Sequence, residues 1–336
     1  MNKRLSITLI TAFFLLTATV IIIRLAEGYR PEIENGHLKS TGLLLANSTP
    51  EGAQVLINDE LKTATDDTMN LAPGEYQVRI EKAGYHPWRK LLTIQAELVT
   101  ETNAHLFPAV PELKPLTVAG VKNPQLSPDN AKIFFESQGG FWVLEMNSGP
   151  FGNPKPKKIS QLEMEREIQR LALEKKAEEE IKFTKFPLDF QKVASSSSQL
   201  IAFSPDETKF LYLAEANVTV PSGLVPPLLS TSTQSEEREI RANVIYAYDR
   251  KEDKNFRIHE AVAPIGWLAD SRHLLFSAEA KIKAVEFDGQ NETVIYAGSF
   301  EKDFFAVWPD GSRLVILANL TPGSELLPNL YSLNLR

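Results

Sequence analysis

Four aspartates recur in one setting. Asp129, Asp206, Asp270 and Asp310 each follow a proline or an alanine, and each is followed by a basic residue and an apolar run. Paired carboxylates can do acid–base work or hold calcium. A repeated Pro-Asp in tight hairpins has a simpler use, because proline presets φ and the aspartate caps its own backbone. These four are therefore expected to be structural turn residues. Tyr85 and Trp88 offer flat aromatic faces of the kind that stack on sugars; the plainer expectation is that they cover one open end of their domain. The five histidines, His37, His86, His105, His259 and His273, include no i, i+4 pair for a metal. Ser195–Ser198 is expected to lie in a loop, not on a nucleophile elbow. There is no cysteine, which excludes thiol catalysis, disulfides and Cys-ligated metals. Gly-x-Ser-x-Gly, His-Glu-x-x-His, Gly-x-Gly-x-x-Gly and the phosphate loop are also missing from the sequence. No catalytic, cofactor-binding or metal residue is nominated, and the chain is expected not to be an enzyme.

The aspartates sit in hairpins. Leu126–Phe135, Phe203–Tyr212, Trp267–Phe276 and Val307–Ile316 each read as apolar strand, turn, basic residue, apolar strand. A third strand follows each one, at Phe141–Met146, Asn243–Tyr248, Ile282–Phe287 and Asn329–Leu335. Internal repetition on this scale points to a solenoid or propeller, with blades of about 40–45 residues. The last gap between aspartates is of that size and the earlier two are longer, so the earlier blades carry insertions. The Ser-Pro-Asp-Gly-like hairpin resembles the blades of TolB-like and WD40-like propellers over residues 112–336. About four blades are expected. An orphan strand at Leu113–Val118 is expected to pair into the last blade and leave no open edge.

Two insertions interrupt the repeats. Residues 159–182 are charged and helix-forming, with Met164, Ile168 and Leu171 as a short apolar stripe that fades after Leu173. The first half should dock, and the second should project or fray. Residues 219–239 are rich in Pro, Ser and Thr and read as a flexible loop, with Leu224, Val225, Leu228 and Leu229 as a possible contact point.

Before the repeats the period is 2. Leu43 and Leu45, Val55 and Ile57, Tyr76, Val78 and Ile80, then Leu92 and Ile94 alternate between turn residues, which gives a small antiparallel sandwich. Pro50-Glu51-Gly52-Ala53, then Pro73-Gly74 before Tyr76, then Gly84-Tyr85 and Trp88 resemble the PEGA domain. The resemblance implies a surface-associated accessory module with no catalytic residues. The chain departs from that pattern at Ala64-Thr65-Asp66-Asp67, a loop expected to be built differently. Gly52, Gly74 and Gly84 sit in turns where positive φ suits glycine.

Leu5 to Ile23 runs without a charge, close to the 20 or so apolar residues that span a bilayer. Its threonines can return their hydroxyls to helix carbonyls. Lys3 and Arg4 precede it, so the N-terminus is expected inside. The alternative is a cleaved signal peptide; it has a shorter apolar core and a small-residue site, which Arg24 spoils at the −3 position. The net charge is −7, and an acidic chain of this kind is not expected to bind nucleic acid.

The expected fold is mainly β. It comprises a tail (1–4), a single-pass transmembrane anchor (5–23), a stalk (24–41), a PEGA-like sandwich (42–107), a linker (108–115) and a propeller-like domain (116–336). The expected function is a membrane-anchored, extracytoplasmic accessory protein that binds a protein or envelope partner and uses no cofactor. Carbohydrate recognition by Tyr85 and Trp88 is the first alternative, and a propeller-based hydrolase is the second.

Overall fold

The computed structural model describes residues 3–26, 29–31, 38–146, 152, 154–228, 232–321 and 326–336. The protein is mainly β, with three helices among the described residues: α1 (Lys3–Ala26), α2 (Gln161–Phe183) and α3 (Leu188–Ser197). It divides into two compact units. The first comprises Met1–Lys82, Pro87–Leu106 and Leu229–Thr233; the second comprises Ala83–His86, Phe107–Leu228 and Gln234–Arg336.

In the first unit, Ile7–Arg24 of α1 is long and apolar enough to cross a membrane, and none of this window is buried in protein. Thr11, Thr17 and Thr19 donate their hydroxyls to the carbonyls of Ile7, Phe13 and Leu15 at 2.8–3.0 Å. These three hydroxyls are thus satisfied from within the helix, as an apolar medium requires. Within the segment read as a stalk, Tyr29–Pro31 pairs with Leu38–Ser40.

The sandwich places two sheets around one core. One sheet runs Glu60–Ala64, Gln54–Ile57, Gly74–Glu81, Trp88–Ile94, all antiparallel. The other runs Val99–Glu101, Gly42–Ala46, Asp67–Leu71. Two pairings are parallel, a departure from the expected all-antiparallel sandwich: Val99–Glu101 with Gly42–Ala46, and Ala104–His105 with Ser48–Thr49. The chain reaches them only after crossing the other sheet, which is the long connection that parallel strands need. The phase of the first strand is also opposite to expectation. Leu44 and Ala46 are fully buried, whereas Leu43 and Leu45 are half-buried. Gly42 fixes this phase, because a Cβ there would lie 2.3 Å from the Gln95 carbonyl oxygen. The strands Glu60–Ala64 and Asp67–Leu71 were not foreseen; both are mostly exposed and polar, without an apolar alternation to reveal them.

Among its described residues the second unit holds four successive four-stranded antiparallel sheets, the blades of a propeller-like arrangement. Blade 1 has Lys122–Leu126, Lys132–Ser137, Gly140–Glu145 and Lys157–Ile159. Blade 2 has Ser198–Phe203, Lys209–Ala214, Val244–Asp249 and Lys254–Glu260. Blade 3 has Ile265–Trp267, His273–Ala278, Lys281–Glu286 and Thr293–Tyr296. Blade 4 has Phe305–Val307, Arg313–Ala318 and Asn329–Asn334, and takes its outer strand from Leu113–Pro115, which pairs as Leu113 with Leu333. The orphan strand therefore lies where the closure argument puts it, and Leu113–Pro115 of the segment read as a linker belong to this sheet.

Apolar clusters join neighbouring blades. Leu211, Ala247 and Phe256 of blade 2 meet Leu274, Phe276 and Val285 of blade 3. Leu275 and Ala284 of blade 3 meet Leu314 and Ile316 of blade 4, and Trp308 and Val315 of blade 4 meet Ile133, Phe135 and Leu144 of blade 1. The other face of blade 2 packs Phe210, Tyr212 and Tyr248 against Phe186, Phe190 and Ala194 of the helical insertion. Phe190 stacks on Tyr248 with centroids 3.9 Å apart. The insertion thus stands where blades 1 and 2 would otherwise meet.

Helix α2 begins at a reciprocal box, in which Ser160 Oγ accepts from the Glu163 N–H and the Glu163 carboxylate accepts from the Ser160 N–H. It does not project or fray in its second half. Met164, Glu167, Ile168, Leu171, Lys175, Glu179 and Lys182 form one half-buried or buried face along its length. The second half docks through the aliphatic stems of long charged side chains, which a search for apolar residues passes over. Ser195–Ser197 end α3 instead of forming a loop. Serine is a weak helix former, but burial of Phe190 and Ala194 against blade 2 overrides that propensity. The 219–239 segment is anchored at both ends. Val218–Thr219 pairs with Glu239–Ile240, Leu224 N–H donates to Asp253 at 2.8 Å, and Asn255 Nδ2 donates to Glu237 O at 2.7 Å. Leu224 and Val225 are half-buried and Leu228 is exposed, whereas Leu229 lies outside the described residues.

Candidate functional site

The tetrapeptide Pro50–Ala53 is a turn held from a distance. Ala53 N–H donates to Thr65 Oγ1 at 3.0 Å, Thr65 N–H donates to Ala53 O at 2.8 Å, and Gly52 N–H donates to Thr65 O at 3.0 Å. Thr65 Oγ1 also lies 2.6 Å from Ser48 Oγ, and Asp66 accepts from Ser48 N–H at 3.1 Å. The departure at Ala64–Asp67 is therefore the segment that clamps the turn. Glu51 is exposed, and its carbonyl accepts from Lys82 Nζ. Gly52 sits at φ +71°, a conformation that costs other residues. Pro73 and Gly74 are exposed at their turn, where Tyr76 OH donates to Ala72 O at 2.9 Å.

Tyr85 and Trp88 do not form a stacking platform. Trp88 is 5% exposed and lies in the sandwich core opposite Ile80, so its ring has no open face. Tyr85 is half-buried and bridges to Pro108, while the preceding Gly84 carbonyl accepts from Ala109 N–H. Carbohydrate recognition through this pair fails because one of the two rings is already spent on the core.

The four repeated aspartates all fold back on their own turns. Asp129 accepts from Ser127 Oγ and Ala131 N–H. Asp206 accepts from Ser204 Oγ at 2.6 Å and Thr208 N–H at 3.1 Å. Asp310 accepts from Ser312 N–H at 2.9 Å and Ser312 Oγ at 2.6 Å. Asp270 accepts from Arg272 and His273 N–H at 2.9 and 3.0 Å and pairs with His273 Nδ1 at 2.7 Å. Burial pushes the Asp270 carboxyl up, but the hydrogen bond and charge of His273 outweigh it and hold the group well below the ordinary carboxylate range. Burial likewise pushes Asp206 up, and the Ser204 hydrogen bond with its companions brings it below its usual value.

The basic residue of each repeat opens the second strand of its blade and finds its own partner. Lys132 reaches Glu167 of α2 at 2.7 Å, and Lys209 lies 3.7 Å from Asp249. His273 takes Asp270, and the Arg313 guanidinium lies 3.8 Å over the Trp308 ring.

All four turns gather around one cavity of about 480 Å³ on the axis of the second unit. Its wall comes from the innermost strand of every blade: Leu126, Ile201 to Phe203, Ile265 to Trp267, and Phe305 with Val307. Asp129 and Asn130, Pro205, Ala269 and Pro309 form the turns around it, and α2 adds Lys175 and Lys182. Among the described residues, Asp129 is the sole carboxylate in this lining, so the pair about 5–10 Å apart that glycoside cleavage uses is not found there. The size, with polar and apolar groups both facing the space, suits a ligand site. Sequence reasoning missed this site because its residues come from four separate repeats; only the repeat turns pointed to it.

Residues 41–109 match the model of the PEGA domain. Among curated proteins, none matches the sequence. Solved structures similar to the chain include TolB from Acinetobacter baumannii, with 12% identity over 88% of this chain and a TM-score of 0.25; the chain covers 63% of it, just under two thirds. The Cps50 (Swd1) β-propeller domain of Myceliophteria thermophila has 7% identity over 90% of this chain and 85% of its own, with a TM-score of 0.26. The tricorn protease has 12% identity over 80% of this chain but only 22% of its own length, with a TM-score of 0.27. At these scores the four-blade arrangement rests on its own strand pairing and not on the likenesses.

Proposed function

We propose that this protein is a membrane-anchored accessory protein of the cell envelope that binds a partner through the axial cavity of its propeller-like unit and catalyses no reaction. A PEGA domain joined to a propeller-like unit fits a surface or envelope protein. Helix α1 supplies the anchor; Lys3 and Arg4 in its first turn favour an N-terminus in the cytoplasm, with both β units outside.

The observation that carries the binding role is the cavity. Aromatic and aliphatic side chains from four blades converge on it, while the turn carboxylates around it are spent on their own backbones. A site so lined can hold a partner segment, and nothing in its described lining pairs a nucleophile with a base.

The test places a photo-crosslinking residue at Asn130, in the cavity lining, and a control at Lys192, on the outward side of α3. Irradiation of intact cells should give one discrete adduct from position 130 and none from 192. No adduct, or the same adducts from both positions, would remove the cavity as the binding face. Tags at both ends separate topology from binding: protease added to whole cells should cleave the C-terminal tag and spare the N-terminal one.

A further inference from the structure

The cations of α2 fall into two sets. Arg170 holds Glu174 at 2.7 Å and Glu167 at 2.9 Å. Lys175 and Lys182, two turns apart on the helix, both line the cavity. Their nearest carboxylates are farther away: Glu179 is 3.8 Å from Lys175, and Glu178 and Glu207 are 3.5 and 3.7 Å from Lys182. A charge-assisted N–H···O bond is typically about 2.7–2.9 Å, so neither ammonium is held by a strong bond. Glu207 is also engaged by Lys185, and Glu178 is mostly exposed to water. Against these two ammonium groups the described lining sets a single carboxylate, Asp129, whose Oδ1 is committed to its turn. The described lining itself thus holds two ammonium groups and one carboxylate, inside a chain whose net charge is −7.

We propose that the axial cavity is an anion site for a carboxylate carried on an apolar or aromatic body, with Lys175 and Lys182 as its counter-ions. This rests on the binding role proposed above and names the ligand chemistry. Half-buried Phe203, Ile201, Ile265 and Val307 supply the surface for the apolar body. A single negative charge fits better than a phosphate dianion. Lysines act as separate point charges with no bidentate fork for phosphate oxygens, and Asp129 repels a second charge. The carboxylate can belong to a small acid or to the free end of a peptide.

Titration of the full chain in detergent at low salt, followed by tryptophan fluorescence, tests the proposal. The probes are N-acetyl-phenylalanine and its amide, then a hexapeptide ending in phenylalanine as free acid and as amide. The acid of at least one pair should bind about tenfold more tightly than its amide, as expected for a charge-assisted contact. The pair with the larger preference identifies the source. Lys175→Gln with Lys182→Gln should abolish that preference, whereas Lys192→Gln should retain it; matched thermal melts exclude misfolding. Equal binding of acid and amide, no saturable binding of any probe, an unchanged preference in the double variant, or tighter binding of phenyl phosphate would each overturn it. If the preference is absent while the Asn130 crosslink persists, the anion assignment fails and the binding face stands; if the crosslink also vanishes, the binding face itself fails.

Discussion

The turn at Pro50–Ala53 and the turns at the four aspartates satisfy their backbones in opposite ways. In the first, the partners of the turn come from far along the chain: Thr65, 12 positions from Ala53, and Lys82, 31 positions from Glu51. In the second, each aspartate caps groups two or three positions away. A locally capped turn forms from its own residues and tolerates change elsewhere. A turn clamped at a distance exists only once the sheets around it are assembled. Removing one remote side chain should therefore cost more than altering a local one.

The largest effect is expected at Thr65. Thr65→Val keeps the shape but leaves the buried Ala53 N–H without its acceptor and takes a partner from Ser48. The loss should be about 3 kcal/mol in urea unfolding, since stranding a buried polar group costs its full desolvation. A loss below about 1 kcal/mol would mean that the clamp is not what holds the turn.

Next comes Asp270→Asn, at about 2 kcal/mol near neutral pH, because it removes the charged partner of buried His273. The folded-state carboxyl is held low, so its contribution is complete above the unfolded value of about 3.9 and is lost as pH falls through the folded one. The gap between variant and wild type should accordingly begin to narrow below about pH 4 and go on narrowing as the pH falls further. A gap that stays constant down to pH 2 would deny the charge any role.

Gly52→Ala should cost about 1 kcal/mol, because the φ of +71° disfavours any side chain. Glu167→Gln is expected to cost the least, about 0.5 kcal/mol or below, as for other partly exposed ion pairs. Hydrogen bonds from Arg170 and then Lys132 hold the Glu167 carboxyl down to about 2. Its small contribution should hold above pH 4.5 or so and fade towards pH 2.

The same contrast explains what the sequence disclosed. The blade hairpins were legible because Pro-Asp turns carry their own chemistry beside strongly apolar strands. The sandwich turns were legible only as a resemblance, and their clamp at Thr65 was not, since nothing local marks it. The run Gly42–Ala46 is apolar in both phases, so alternation did not tell inside from outside. In α2 the capping box was present in Ser160-x-x-Glu163, but the buried face of the second half is built from lysine and glutamate stems. The cavity was invisible because no single repeat contains it.

The pairing of Leu113–Pro115 with Asn329–Asn334 has a consequence in time. Lys114 and Ser332 share a sheet although they lie 218 positions apart. Synthesis at about 5–20 residues per second leaves the earlier strand waiting some 10–40 s for its neighbour. Until then blade 4 lacks a paired strand on that side, and the first blade lacks the neighbour that packs against Ile133 and Phe135. The second unit should therefore fold late and all together, among the slower topologies. Any factor that shields the early strands acts within that interval.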